Sequence, residues 1–308
     1  MRNDASDNYG DEIDLRELFR VIWSGKIKIF VITAVFAIAS VVYALSVPDQ
    51  YKATVVLSPA QSSGGGLSGA LGQLGGLAAI AGVSLGGGDT SEAQLAQEIM
   101  SSWSFIEHFI YSKDLAVKVY AVDGWNKGTN ELQINPDVYD VAKSQWLVEN
   151  NTGELGAPSS WELYKSFSKL LSVSRDMESG LFSVSIEYYS PEIAKQWLDL
   201  YILAINEHMK ERQMTKVTRN IQFLEAQIRK TSIAQMQEVF YTIIEEQIKS
   251  KMLAEASPDY AFIAVSPSMV PEQKSQPKRS LICILGTLMG GILSILLVLV
   301  MHYNRQSS

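Results

Sequence analysis

Two long stretches without a charged side chain frame this sequence and limit what it can fold into. One covers residues 29–48, twenty positions, and the other residues 280–301, twenty-two positions. Either is long enough to cross roughly 30 Å of hydrocarbon as a helix, and a lone apolar segment in lipid satisfies its backbone only as a helix. The apolar fraction of 47% in a 308-residue chain is then explained by lipid contact rather than by an oversized core.

A cleavable leader is the competing reading of the first stretch, because Ala44-Leu45-Ser46 is a passable cleavage site. The 28 residues before it carry six acidic side chains, Asp4, Asp7, Asp11, Glu12, Asp14 and Glu17, too many for a signal-peptide head. It reads as an uncleaved anchor. The cations Arg16, Arg20, Lys26 and Lys28 flank it and place the N-terminal side in the cytoplasm by the positive-inside rule. Lys278 and Arg279 lie on the other side of the membrane beside the second stretch, where a long translocated loop escapes that rule. The expected organisation is a cytoplasmic tail 1–28, a span 29–48, an exported domain 49–279, a span 280–301 and a cytoplasmic tail 302–308.

Within the exported part, YKATVVLS at 51–58 has the β-branched and aromatic content of a strand. Residues 64–88 follow, with eleven glycines in twenty-five positions among Leu, Ala, Ile and Val and no charge. Apolar content sets this segment apart from a polar linker, and packing against a neighbour and disorder are both open to it. A capping pattern at Thr90 and Ser91 predicts a helix over 90–111. Breakers interrupt 113–160, for which helices joined by loops are expected. Alternation over 170–175 and 181–189 about Asp176–Gly180 predicts a hairpin that could pair with the strand at 51–58.

From Glu192 to Ser257 there are sixty-six residues without glycine or proline, opened by Ser190 as N-cap and Pro191 at the first helical position. A long helix over 191–257 is expected, about 100 Å if unbroken, with room for one break. Ile221, Leu224, Ile228, Met236, Phe240, Ile243, Ile244 and Ile248 leave a narrow apolar stripe suited to helix-to-helix contact. Four of the nine prolines, Pro258, Pro267, Pro271 and Pro277, fall in 258–279, which should run extended back to the membrane. In the second span Gly286 and Gly290 form GxxxG, followed by Gly291 and Ser294, allowing close helix approach. The first span offers Thr33/Ala37 and Ser40/Ala44. The fold class is α+β: two membrane helices flank a domain with a small α/β base and a long helix.

Several chemistries are disfavoured. A net charge of −7 and the lack of any basic run beyond two residues argue against nucleic acid. The lone Cys283 excludes an intrachain disulfide and a cysteine-based zinc site. Gly82-Val83-Ser84-Leu85-Gly86 matches GxSxG, but in a glycine-dense segment such spacing arises by chance, and the triad partners are poorly supplied by His108, His208 and His302. His108 and His208 have Glu107 and Glu207 directly beside them, which point elsewhere on a helix, so metal binding is not expected. No cofactor, metal or catalytic residue is expected. Trp103, Trp125, Trp146, Trp161 and Trp197 could stack on sugar rings, though tryptophan is usually partly buried; Trp125, in DGWN, is expected to be the exposed exception.

The stretches EIDLRELFRVIWSGK, YKATVVLSP, VSIEYYSPEIAKQWLDLYI and PSMVPEQKSQPKRSLICILGTLMGG resemble chain length determinant (Wzz-type) polysaccharide co-polymerases, in an order that covers essentially the whole chain. The resemblance implies an enzymatically inactive inner-membrane protein with a periplasmic domain made of a membrane-proximal α/β base and a long helical protrusion. It also implies a ring-like homo-oligomer setting the modal length of O-antigen, or of a related undecaprenyl-linked glycan, made by a separate polymerase. It carries over Pro267, Pro271, Pro277, Lys278, Arg279, Gly286 and Gly290 as determinants of assembly and control. Larger relatives add a cytoplasmic kinase domain; this sequence lacks a GxxxxGK[ST] loop, so any kinase is expected to be another polypeptide. Two other architectures share part of the layout. A periplasmic adaptor of an export system usually has one span, and a sensor needs a signalling module that the seven residues after the second span do not provide.

Overall fold

Period-two alternation builds the sheet of the larger unit. A computed structural model describes residues 23–60, 88–149, 153 and 155–306; the Gly-rich segment and the GxSxG match at 82–86 lie outside the described residues, except for Gly88. The chain divides into two units, one drawn from residues up to Asp49 and from Ser275 onward, the other spanning Gln50–Lys274.

In the larger unit, β1 (Gln50–Pro59) buries Ala53, Val55 and Leu57 and exposes the alternating Lys52 and Thr54. Later in the chain β7 (Phe182–Tyr188) buries Phe182, Val184, Ile186 and Tyr188. The antiparallel register sets Ala53 against Ile186, Val55 against Val184 and Leu57 against Phe182, so the apolar sets share one face. The expected hairpin is formed by β6 (Leu171–Arg175) and β7. Its turn is held by Asp176, whose carboxylate accepts from the Glu178 N–H at 3.0 Å and the Ser179 hydroxyl at 2.6 Å, with Gly180 at φ +71°. β8 (Phe262–Ser266) pairs antiparallel with the other side of β1, giving the path β6-β7-β1-β8.

Helices cover the apolar face. The helix expected over 90–111 is two: α2 (Gly88–Met100) and α3 (Trp103–Ser112). The Ser102 hydroxyl separates them, donating to the Ile99 carbonyl at 2.7 Å and accepting from the Phe105 N–H at 3.4 Å, so it ends one helix and caps the next. Downstream, the expectation of helices over 113–160 is corrected. Among the described residues of 113–159 the one helix is α4 (Ala116–Tyr120), and two small hairpins follow, β2 (Val122–Asn126) with β3 (Glu131–Ile134) and β4 (Tyr139–Asp140) with β5 (Gln145–Trp146). Side-chain acceptors cause this: Asn126 bonds the Gly128 N–H at 2.8 Å and Asp140 the Ala142 N–H at 3.0 Å, folding the backbone into turns in place of helix.

Next comes α5 (Ser160–Leu170), opened by a complete capping box between Ser159 and Glu162. The bonds from Ser159 hold the Glu162 carboxyl below its ordinary pKa. Then α6 (Pro191–Lys230), 40 residues long, starts where Ser190 caps the Ile193 N–H at 3.4 Å. Its first half lays Trp197 and Tyr201 into a ring cluster: Trp197 lies 4.4 Å from Tyr188, and Tyr201 4.8 Å from Phe109 and 5.6 Å from Phe167. Burial raises the pKa of the Tyr188 and Tyr201 phenols, which stay protonated as donors to the Lys118 and Met100 carbonyls.

The run 191–257 is not one helix. Thr231, Ser232 and Ile233 leave the helical conformation and α7 (Ala234–Ala256) follows. No glycine or proline marks the break; two of its three residues are β-branched and the third competes for backbone bonds, so the local helix preference is weak. The carboxamide of Gln237 donates to the Thr231 carbonyl at 2.7 Å. Asn206, buried in α6, shows where α7 goes. Its side chain accepts from the Ala261 and Phe262 N–H groups and donates to the Phe262 carbonyl, all at 2.9 Å. From Asn206 to the end of α6 the chain climbs about 36 Å, and the 23 residues of α7 retrace about 34 Å. The two therefore form an antiparallel hairpin, and in place of a rod of about 100 Å, α6 is about 60 Å long, its outer ~36 Å retraced by α7. The extended return is β8 followed by the short β9 (Lys274–Gln276).

Replacing Asn206 by Leu keeps the branched shape, with some added bulk, but strands two N–H groups and one carbonyl. A loss of about 3 kcal/mol or more is expected, read as a lower denaturant midpoint for the detergent-solubilised protein; an unchanged midpoint would show that the amide is dispensable.

Candidate functional site

The smaller unit pairs α1 (Lys26–Ser46) with α8 (Arg279–Gln306). Both are long and apolar enough to cross a membrane. Most of their large side chains face outward, for example Phe30, Val35, Ile38, Ile284 and Val300. Surfaces so exposed and continuous suit lipid, where association rests on close packing and not on water exclusion.

Glycines make that approach. A Cβ at Gly286 would lie 2.5 Å from the Ser40 Cβ, and one at Gly290 2.5 Å from the Phe36 Cβ. Those neighbouring atoms sit next to the backbone and cannot swing aside, so only glycine fits. Gly291 differs: a Cβ there meets nothing within 4 Å. Polar groups line the same seam. Ser294, fully buried, donates to the Gly291 carbonyl at 2.7 Å, and its oxygen lies 3.4 Å from the Thr33 hydroxyl. Ser40 donates to the Ala37 carbonyl at 2.8 Å.

At one end of the seam sits Arg279. Its Nε donates to the Ala44 carbonyl at 3.1 Å and its terminal nitrogen to Asp49 at 2.9 Å. Ala44 is in the last turn of α1, where carbonyls lack partners within the helix, and the planar fork of arginine serves such a carbonyl and a carboxylate together. Lys278 and Pro277 precede it: the Lys278 carbonyl accepts from the Leu281 N–H at 3.0 Å, and the Gln276–Pro277 peptide is cis. Pro267 and Pro271 belong to the other unit. There Ser268, buried between them, donates to Asp199 of α6, whose other oxygen takes the Lys195 ammonium at 2.6 Å. The proline pattern is thus split: its first part is tied to α6, and its last part opens α8.

The tryptophans do not sort as expected. Trp197 is buried, and Trp125, expected to be exposed, is half-buried, edge-on to Tyr51 at 5.9 Å with its indole N–H on Asn130 at 2.9 Å. Trp103 and Trp161 are the exposed pair, at 48% and 51%. Sequence periodicity carries no signal for this, because both are at helix starts amid serines. His208 stacks edge-on with Phe105 at 5.4 Å; burial, then the charge of Arg212, lowers its pKa, with Glu211 opposing and His108 adding. Among the described residues no group of three or more His, Cys, Asp or Glu could hold a metal ion.

Residues 11–113 match the family model of chain length determinant proteins. Among the described elements, that stretch contains α1, β1, α2 and α3. Two solved structures are similar. A full-length bacterial polysaccharide co-polymerase has 13% identity and a TM-score of 0.43, with 95% of this chain and 99% of that one covered. A fragment of WzzB, a polysaccharide co-polymerase from Salmonella Typhimurium, has 13% identity and a TM-score of 0.32, with 74% and 100% covered. Among curated proteins none matches the chain in sequence.

Two predictions come from this geometry. In a protein with Cys283 replaced, cysteines at Thr33 and Ser294 should form a disulfide on mild oxidation. Adding Gly286→Leu and Gly290→Leu should abolish it, whereas Gly291→Leu should not; equal cross-linking in all three would refute the seam. For His208 the lowered folded-state pKa means that the unfolded chain binds the proton more readily. Stability is then full above about pH 6.5, the unfolded value, and falls as pH drops toward the folded value. Melting temperatures between pH 7.5 and 5.5 should fall more for the native sequence than for His208→Gln.

Proposed function

We propose that this protein is a bacterial inner-membrane polysaccharide co-polymerase that sets the modal chain length of O-antigen or a related undecaprenyl-linked surface polysaccharide. The observation that carries this reading is the correspondence of residues 11–113 to the chain length determinant model, a stretch that includes the first apolar helix and the first strand. Both termini are cytoplasmic, and residues 49–279 are periplasmic. The chain acts by geometry, and a separate polymerase makes the glycosidic bonds.

Homo-oligomerisation is part of the proposal. Large apolar side chains on the α6–α7 hairpin, among them Phe223, Ile233, Tyr241 and Met252, are between 58% and 63% exposed. A hairpin so furnished is suited to side-by-side packing with further copies. Gly286 and Gly290 set the approach of the membrane helices. Pro267, Pro271, Pro277, Lys278 and Arg279 direct the chain from the periplasmic domain into the second span.

Deleting the gene should remove the modal cluster of bands from lipopolysaccharide on a silver-stained gel while polymer is still made, and the intact gene should restore it. Should the gel be unchanged, the exported glycans would be sized by gel filtration. Unchanged distributions in both would sink the reading.

A further inference from the structure

The exposed tryptophan pair has a chemistry of its own. Trp103 is the first residue of α3 and Trp161 the second of α5. Their rings meet at right angles, 89°, with centroids 6.1 Å apart. Tyr164, one turn on from Trp161, lies 5.1 Å from it and tilted by 30°, covering one face of the indole. An exposed tryptophan is ordinarily a loose one, but these are tethered. The Trp103 indole N–H donates to the Ser160 hydroxyl at 3.2 Å, and the Tyr164 hydroxyl donates to the Ser101 carbonyl at 3.3 Å. Both helix starts are themselves locked, α3 by Ser102 and α5 by the Ser159–Glu162 box. The outcome is a fixed corner of aromatic surface, ordered before any ligand arrives.

The surroundings identify the occupant. In sequence the two rings are flanked by Ser101, Ser102, Ser104, Ser159, Ser160 and Glu162, the last tied into the capping box, with no aliphatic side chain next to either ring. A core of protein-to-protein contact combines aromatic with other apolar side chains and is depleted in serine. The Trp103 N–H is already used within the protein, so what that ring leaves exposed is its face, with the exposed Ser101 and Ser104 beside it. That suits a ligand with one apolar C–H face and a hydroxylated rim, which is the make-up of a pyranose ring. Two ring planes at right angles can receive successive sugars that turn relative to one another.

We propose that Trp103 and Trp161, buttressed by Tyr164, form a stacking platform for the sugar chain of the surface polysaccharide. This rests on the chain-length reading above and adds direct contact with glycan to it.

The test uses the full chain in lipid nanodiscs. The probe is delipidated surface polysaccharide released from the source bacterium by mild acid, with dextran as an unrelated glucan. Binding is followed by titration calorimetry and by protection of tryptophan fluorescence from acrylamide. The native chain should bind the surface polysaccharide more tightly than dextran. Trp103→Ala and Trp161→Ala should each weaken binding about tenfold, while Trp161→Tyr, which keeps a ring, should stay within about threefold. Melting temperatures of the variants identify any that fail to fold, and Trp161→Tyr keeps the test decisive if an alanine variant does. Full-strength binding by folded alanine variants overturns the platform, as does absence of binding by the native chain. Altered self-association with unchanged sugar affinity also overturns it and makes the patch a face between copies. If gene deletion changes polysaccharide length but the alanine variants bind normally, this inference falls alone; if deletion changes nothing, the chain-length reading itself falls.

Discussion

One side chain closes the larger unit. Strand β8 reaches its place beside β1 only after the chain has left the core along α6 and come back along α7. Inside α6 the backbone groups are committed to the helix, so the helix can offer strand-like pairing only through a side chain. Asn206, with one carbonyl and one amino group, copies a peptide unit and meets two N–H groups and a carbonyl at 261–262. Since it is buried at 2% exposure, no water stands in for it. The excursion is thereby reduced to a loop between fixed ends. Its outward and return legs must match in length, but neither length is dictated by the sheet.

Much of this was legible because it is local. Alternation at 51–58 and 181–189 declared strands, Ser190-Pro191 declared the start of α6, and the uncharged stretches declared the apolar helices. The break at 231–233 was not, because no glycine or proline marks it and its position is set by the need to return to Asn206. The hairpins at 122–146 were missed where Asn126 and Asp140 bonded their own backbone, a choice that averaged propensity does not resolve. For the seam, the glycine spacing was readable: at 100° per residue Gly290 falls about 40° from Gly286 on the helix wheel, and Gly291 a further 100° away. The partners were not readable. Arg279 finds Asp49 and Ala44, and Ser294 faces Thr33, across separations of 230, 235 and 261 residues.

The larger unit is also unevenly packed along α6. Between Ala194 and Met209 six apolar side chains of α6, Trp197 and Tyr201 among them, are buried at 3% or less. Beyond Met209 the buried apolar side chains are Val217 and Leu224 on α6 and Ala254 on α7. A pair of helices has a single mutual face and can bury only a narrow stripe, and in proteins helical stability comes mostly from such packing rather than from propensity. Charge pairs do little to help: Lys210 meets Glu207 at 3.3 Å within one helix turn, and the Glu207 carboxylate is exposed to water that screens it. The base is therefore the rigid part, and the hairpin depends on what lies beside it. If this protein controls length by geometry, as proposed, that geometry is not a property of one copy: the hairpin acquires a defined position when its exposed apolar side chains are covered by a neighbour.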